Sequence, residues 1–197
     1  MKKRVCIFVV LVVFVFAIPA CLFDTRENQV QPPTQSGCNI DLTAPEGVFT
    51  SITEMLNSKQ DACYERALST TFIFSPSLQD SLDQNFVGTG VFDNWNKQKE
   101  LAAMGLLLGD ARYLHWDFTT TPQINQSTFV RFRVDYDLQV VNTASPTDTL
   151  HYKGGATFDV RKESGIWRLT YWDEIDGVQG FSSWGYLRGI LGLRLGT

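Results

Sequence analysis

From Val130 to Val140 polar and apolar residues alternate strictly. Val130, Phe132, Val134, Tyr136, Leu138 and Val140 share one face, and Arg131, Arg133, Asp135, Asp137 and Gln139 share the other. A period of two with one wet face predicts a strand of an antiparallel sheet that is covered on one side only. The same period organises everything after Ala111, giving four strands: "ARYLHWDFTTT", "TFVRFRVDYDLQVVN", "LHYKGGATFDVRKE" and "GIWRLTYWDEID". Turn-rich links join them, as hairpins require. Upstream the period is helical. Val48, Phe49, Ile52, Met55 and Leu56 follow a start signal in which Thr43 or Asp41 caps and Pro45 sits in the first turn. A second short helix carries Ala62, Cys63, Ala67 and Leu68, "TTFIFSPS" reads as a short β segment, and residues 91–108 read as a helix with Trp95, Leu101, Ala102 and Leu108. The tail "FSSWGYLRGILGLRLGT" is a short helix or an extra strand. Helices first and antiparallel strands after them define an α+β domain.

The first twenty residues stand apart from this pattern. Three charges in "MKKRV" precede sixteen apolar residues, Val5 to Ala20. That is short of the roughly twenty a spanning helix needs, so an export signal fits better. Ile18-Pro19-Ala20-Cys21 resembles a bacterial lipobox, although Pro19 departs from the usual small residue. The resemblance implies a signal peptide over 1–20, lipid carried by Cys21 (palmitate or a similar acyl chain), and membrane attachment without a spanning helix. Residues 21–42, polar and containing Pro32-Pro33, read as a flexible tether. Leu22, where inner-membrane retention uses Asp, favours an outer-membrane destination in a two-membrane cell. The expected address is therefore the bacterial cell envelope, outside the cytoplasm.

Loss of Lys2, Lys3 and Arg4 with the signal takes the formal charge from −4 to −7. An acidic product without a basic cluster excludes nucleic acid as a partner class. Of four cysteines, Cys6 leaves with the signal and Cys21 takes the lipid. Cys38 and Cys63 remain in an oxidising compartment, where a disulfide would pin the linker to the first helix; the sequence leaves that open. Their spacing matches no metal motif.

Three segments of the folded part, residues 43–193, carry a resemblance. "NSKQDACYERALSTTFIFSPS" resembles the opening of NTF2-like (SnoaL-like) domains, "FDNWNKQKEL" their third helix, and "GIWRLTYWDE" their closing strand. Bacterial lipoproteins with such a domain often end on a segment like "SSWGYL". The resemblance implies a cone in which a curved antiparallel sheet wraps about three helices around an apolar pocket. It implies no reaction, because the superfamily holds isomerases, dehydratases and hydrolases beside non-catalytic modules.

Catalytic members place an acid–base group in that pocket, so the face of each candidate matters. His115 and Asp117 alternate with Leu114, Trp116 and Phe118, and His151 falls with Lys153, Asp159 and Arg161. Both histidines thus lie on the wet face, where a dyad is outweighed by a solvated strand surface. Tyr136 and Asp173 fall on apolar phases, Asp173 after Trp167, Leu169 and Tyr171. They are the weak catalytic candidates, a raised-pKa carboxyl beside a phenol. Trp95, Trp116, Phe132, Tyr136 and Trp167 are the candidate pocket lining, and Trp172 is core. No phosphate loop, nucleophile elbow, metal set or cofactor site is present in the sequence. The expected function is a lipid-anchored module binding a small apolar ligand or an envelope protein. The alternatives are a pocket enzyme of isomerase, dehydratase or hydrolase type using Asp173 and Tyr136, and a structural protein that forms a homodimer through its sheet.

Overall fold

The computed structural model describes residues 38–196. Residues 1–20, read above as a signal peptide, Cys21 and most of the segment read as a tether lie outside the described residues. The alternating strand becomes β3 (Phe129–Asn142), next to one edge of a five-stranded sheet. It pairs antiparallel with β2 (Ala111–Asn125) on one side and β4 (Thr149–Glu163) on the other. Strand β4 pairs antiparallel with β5 (Ile166–Gly177). The apolar β segment is β1 (Leu68–Ser75), and it lies parallel to β5, giving the order β1-β5-β4-β3-β2. The sheet is therefore mixed, where the alternation alone suggested an antiparallel one. Hairpin logic governs only consecutive strands, and β1 enters at the same end of the sheet as β5.

Helix α1 (Gly47–Ser58) buries Val48, Phe49, Ile52, Met55 and Leu56, the full set its period marks. Neither Thr43 nor Asp41 caps it. Asp41 Oδ1 instead accepts the Thr43 N–H (2.8 Å) in a turn before the helix, and Glu46 occupies the cap position without a side-chain bond. Gly47 is required there, since a Cβ would sit 2.1 Å from the Asp41 carbonyl. Inside the cone Phe49 packs on Phe132, Phe158 and Phe118 at ring separations of 5.1, 5.5 and 5.6 Å. Helix α2 (Ala62–Ala67) runs straight into β1 and carries Cys63, bonded to Cys38. The disulfide thus ties the linker to the second helix, not the first.

After β1 comes a one-turn helix, α3 (Leu78–Ser81), capped by Ser77. Helix α4 spans Lys97–Asp110, starting later than residue 91. Asn96 fixes its start by accepting the Gln98 and Lys99 N–H groups at 3.0 and 3.1 Å. Trp95 lies just ahead of the helix, and its buried face is Glu100, Ala103, Met104 and Leu107, with Ala102 exposed. The tail is helix α5 (Trp184–Leu195), begun by a Ser183 cap on the Tyr186 N–H. No described helix is long and apolar enough to cross a membrane.

A buried carboxylate and arginine network as the candidate functional site

Strand β5 decides which carboxylate faces the cone. Leu169 pairs with Val160 and Tyr171 with Asp159, which leaves Thr170 as an extra residue. Such a bulge reverses the in–out phase of the strand beyond it. Trp167 and Leu169 point inward, but after Thr170 it is Trp172 and Glu174 that are buried. Asp173 turns to the outer face, partly exposed, where its Oδ1 accepts from the Tyr171 hydroxyl at 3.3 Å. The expected pairing of Asp173 with Tyr136 is therefore not formed, and Glu174 takes the place. The Tyr136 hydroxyl donates to Glu174 Oε2 at 2.7 Å and accepts the Trp184 N–H at 2.9 Å. Trp172 Nε1 donates to Glu174 Oε1 at 2.9 Å.

A second buried carboxylate, Glu100, projects from α4. It accepts Arg188 Nε and Nη2 in a fork at 2.9 and 2.7 Å, the Tyr64 hydroxyl at 2.8 Å and Trp95 Nε1 at 2.8 Å. Arg188 comes from α5, is fully buried, and lies 3.8 Å above the Trp172 ring, with Phe74 at 4.5 Å. Its Nη1 is 3.8 Å from Glu174 Oε1, so one guanidinium is shared unequally by two carboxylates. Asp80 adds a third, held by the Ser77 and Ser183 hydroxyls at 2.7–2.8 Å. Glycine at 185 makes this possible: a Cβ there would lie 2.3 Å from Asp80 Oδ2 and 3.1 Å from Glu174 Cγ.

The two glutamates differ in charge because their partners differ. Burial pushes Glu100 up, but the Arg188 charge and the bonds from Arg188, Tyr64 and Trp95 outweigh it and hold the carboxyl below its usual value. For Glu174 burial wins over the more distant Arg188 and the Tyr136 and Trp172 bonds, and Asp80 adds repulsion; its pKa rises to about 7. Burial first, then the neighbouring carboxylate, pushes the Tyr136 and Tyr64 phenols up. Asp80 is raised by burial against its serine bonds. A carboxyl near neutrality beside a phenol is competent to exchange a proton; an ionised Glu100 in four hydrogen bonds is a fixed counter-ion.

Of the residues read as pocket lining, Trp95, Trp116, Phe132, Tyr136 and Trp167 are all buried, at 1–6% exposure. Trp116 stacks on Phe118 at 4.2 Å and meets Trp184 edge-on at 5.6 Å. Tyr136 also meets Trp184, at 5.9 Å. Glu100, Glu174 and Arg188 carry the site, and no motif in the sequence singles them out. His115 bonds Asp117 at 3.1 Å and His151 bonds Asp137 at 3.0 Å, both on the outer face. Among the described residues no three His, Cys, Asp or Glu are grouped to hold a metal. An open surface hollow of about 640 Å³ between Thr89, Lys99 and Leu195 holds none of these groups.

No protein-family profile and no curated protein matches this sequence. Solved structures do match in shape. One is assigned as a scytalone dehydratase from Novosphingobium aromaticivorans, with 12% identity, 68% of this chain and 81% of that chain covered, and a TM-score of 0.53. Another is a protein of unknown function from Mycobacterium tuberculosis, with 10% identity, coverage of 77% and 94%, and a TM-score of 0.53. A third is assigned as a calcium/calmodulin-dependent protein kinase II association domain from Xanthomonas campestris, with 10% identity, coverage of 67% and 84%, and a TM-score of 0.50. Identities this low establish fold and nothing finer. The described chain is an α+β domain with the NTF2-like fold.

Proposed function

We propose that this chain is a lipid-anchored, extracytoplasmic NTF2-like domain that serves as a binding module for a protein partner of the cell envelope. One observation carries the reading: Glu100, Glu174 and Tyr136 inside the cone are hydrogen-bonded within the protein, under a helix that adds Trp184, Leu187, Arg188 and Leu191 to the core, with Trp116 Nε1, Trp184 Nε1 and Arg188 Nη1 as the buried donors left without a bond. A cone packed this way leaves the small apolar ligand little to bind, which turns the module toward its surface. The lipobox-like Ile18-Pro19-Ala20-Cys21 supports the anchor, and the Cys38–Cys63 disulfide supports an oxidising compartment.

Fatty-acid labelling of the full chain tests the anchor. Wild type takes up the label and stays with membranes, whereas Cys21→Ala is unlabelled and uncut. A wild-type chain that is freely soluble after export, with an unmodified amino terminus, contradicts it.

A second reading draws on the Glu174 pKa of about 7 beside Tyr136. It is the pocket enzyme of isomerase, dehydratase or hydrolase type, with Glu174 as acid–base group in place of Asp173. Access separates the two readings. In the native full chain a water-soluble carbodiimide leaves Glu174 unmodified if the domain is a module, and modifies it if the cone is an open active site.

A further inference from the structure

Strand β2 closes the sheet on one side, and its outer edge is bare. Among the described residues its backbone from Arg112 to Ile124 is bonded to nothing but its β3 partners. Only at its start does another element reach it, where the Ala111 carbonyl takes Lys59 Nζ. The opposite edge of the sheet is covered. On β1 the Phe74 N–H donates to the Trp95 carbonyl at 3.1 Å, and Ile73 bridges Asn96.

A long edge with free N–H and C=O groups is a template for another strand, and proteins blunt such edges with proline, charge or a bulge. In β2 the blunting sits at the two ends. The ladder to β3 shifts register between Ala111 and Tyr113 and again between Pro122 and Ile124, and Pro122 has no N–H to give. From Tyr113 to Thr121 the register is regular, with no proline and no glycine. The middle of the edge is therefore free to extend the sheet.

The side chains of this stretch select the strand that fits. A second copy laid antiparallel about a two-fold axis through Trp116 sets 113 opposite 119, 114 opposite 118 and 115 opposite 117. On the outer face His115 of each copy then meets Asp117 of the other, and Tyr113 meets Thr119. On the inner face Leu114 meets Phe118, whose ring is only partly buried within one copy. Asp117 has room for the contact. It stands opposite Asp137 on β3, which already holds His151 and Lys153, while Asp117 has His115 alone and stays 66% exposed. Opposite charges facing across paired strands stabilise them, and like charges do the reverse. An axis through Asp117 would set two aspartates together, and one through His115 two imidazoles. Arg112, the other charge on this edge, falls opposite Thr120 when the axis is at Trp116.

We propose that the free edge of β2 pairs with the β2 of a second copy of this chain, antiparallel about Trp116, so that two five-stranded sheets join into one. The pairing is independent of what the cone holds and rests on the anchor reading only for its strength. A ladder from 113 to 119 is short beside a standard interface of about 800 Å² per partner. Tethers on one membrane supply the local concentration that so weak a pair needs.

Cysteine pairing in the full chain, with two differently tagged copies made in the same cells, tests this. Tyr113 and Thr119 are both exposed, and across the axis their Cα atoms lie about 4.5–5.5 Å apart. Tyr113→Cys in one copy and Thr119→Cys in the other form a mixed disulfide. Tyr113→Cys in both copies gives at most a tenth of that yield, because those residues sit roughly 20 Å apart along the strands. Asp117→Lys lowers the mixed yield at least fivefold, and adding His115→Asp restores it, since the facing charges are then exchanged and not lost. A mixed yield no higher than that of the like pair overturns the proposal. So does indifference to Asp117→Lys, a double variant that fails to recover, or an adduct of either cysteine with a different protein. Fatty-acid label on Cys21 is read in the same samples. Label without the mixed disulfide refutes the pairing alone, and the mixed disulfide without label refutes the anchor alone.

Discussion

The two faces of the sheet use the same side-chain chemistry to opposite ends. On the outer face Arg131 forks onto Asp159 at 2.6 and 2.7 Å, Arg133 meets Asp135 at 3.0 Å, and Asp137 takes both His151 and Lys153. Most of these side chains are partly exposed, so water competes for their charges and such bridges contribute little each, the buried Asp159 being the exception. On the inner face Arg188, Glu100 and Glu174 are dry. There the cost of desolvation is large, and the fork onto Glu100 and the bonds to Glu174 offset it, with Arg188 Nη1 left without a hydrogen bond. Geometry that is incidental outside becomes a condition of folding inside. The outer pairs leave the wet face of the sheet charged, and the inner one fixes how α5 lies against α4 and β5.

The largest break in this comparison comes from the inner face. Arg188→Ala leaves Glu100 buried and uncompensated, so the domain loses about 3–5 kcal/mol in urea unfolding. A loss below about 1 kcal/mol means that Arg188 reaches water and the two faces are alike.

A pH series sharpens the comparison next. The folded pKa of Glu174 is raised from 4.5 to about 7. A group raised on folding contributes its full stability below the unfolded value and loses it as pH rises through the folded one. The domain thus loses about 3 kcal/mol through this residue between pH 4.5 and pH 8. Glu174→Gln keeps a similar shape and cannot ionise, so the stability of wild type relative to this variant falls by that amount as pH rises. A difference that stays flat, or that grows with pH, contradicts a desolvated Glu174.

The smallest effect belongs outside. His115 and Asp117 are bonded at 3.1 Å but their side chains are 42% and 66% exposed. His115→Ala therefore costs no more than about 0.5 kcal/mol. A cost near that of Arg188→Ala would make the outer face structural too.

The inner face of β3 is legible in the sequence because six apolar positions alternate without interruption, and that rule places Tyr136 inside the cone. The same rule misplaces Asp173 two strands away. Alternation assumes an unbroken ladder, and Thr170 breaks it. The signal is present in the adjacent pair Tyr171-Trp172: only one of two neighbouring aromatics can face the core, and the buried one, Trp172, is out of phase with Leu169. Helical periodicity starts α4 too early for a related reason: Trp95 is apolar enough to extend the period, but Asn96 caps the helix after it. Arg188 and Glu100 are 88 residues apart, and no local pattern links them. A hint lies in the lone arginine of the otherwise apolar "YLRGIL", since a buried arginine demands a carboxylate partner.

Amide hydrogen exchange in α5 tests the central claim most directly, namely that the inner network holds this helix shut over a closed core. The Trp184 N–H is bonded to the Tyr136 hydroxyl and the Leu187 N–H to the Ser183 carbonyl. Both exchange with the same free energy as the amides of β3, because α5 opens only when the whole domain unfolds. If they exchange through a local opening several kcal/mol cheaper than β3, the helix is a lid over an accessible site, and the account of a locked cone is wrong.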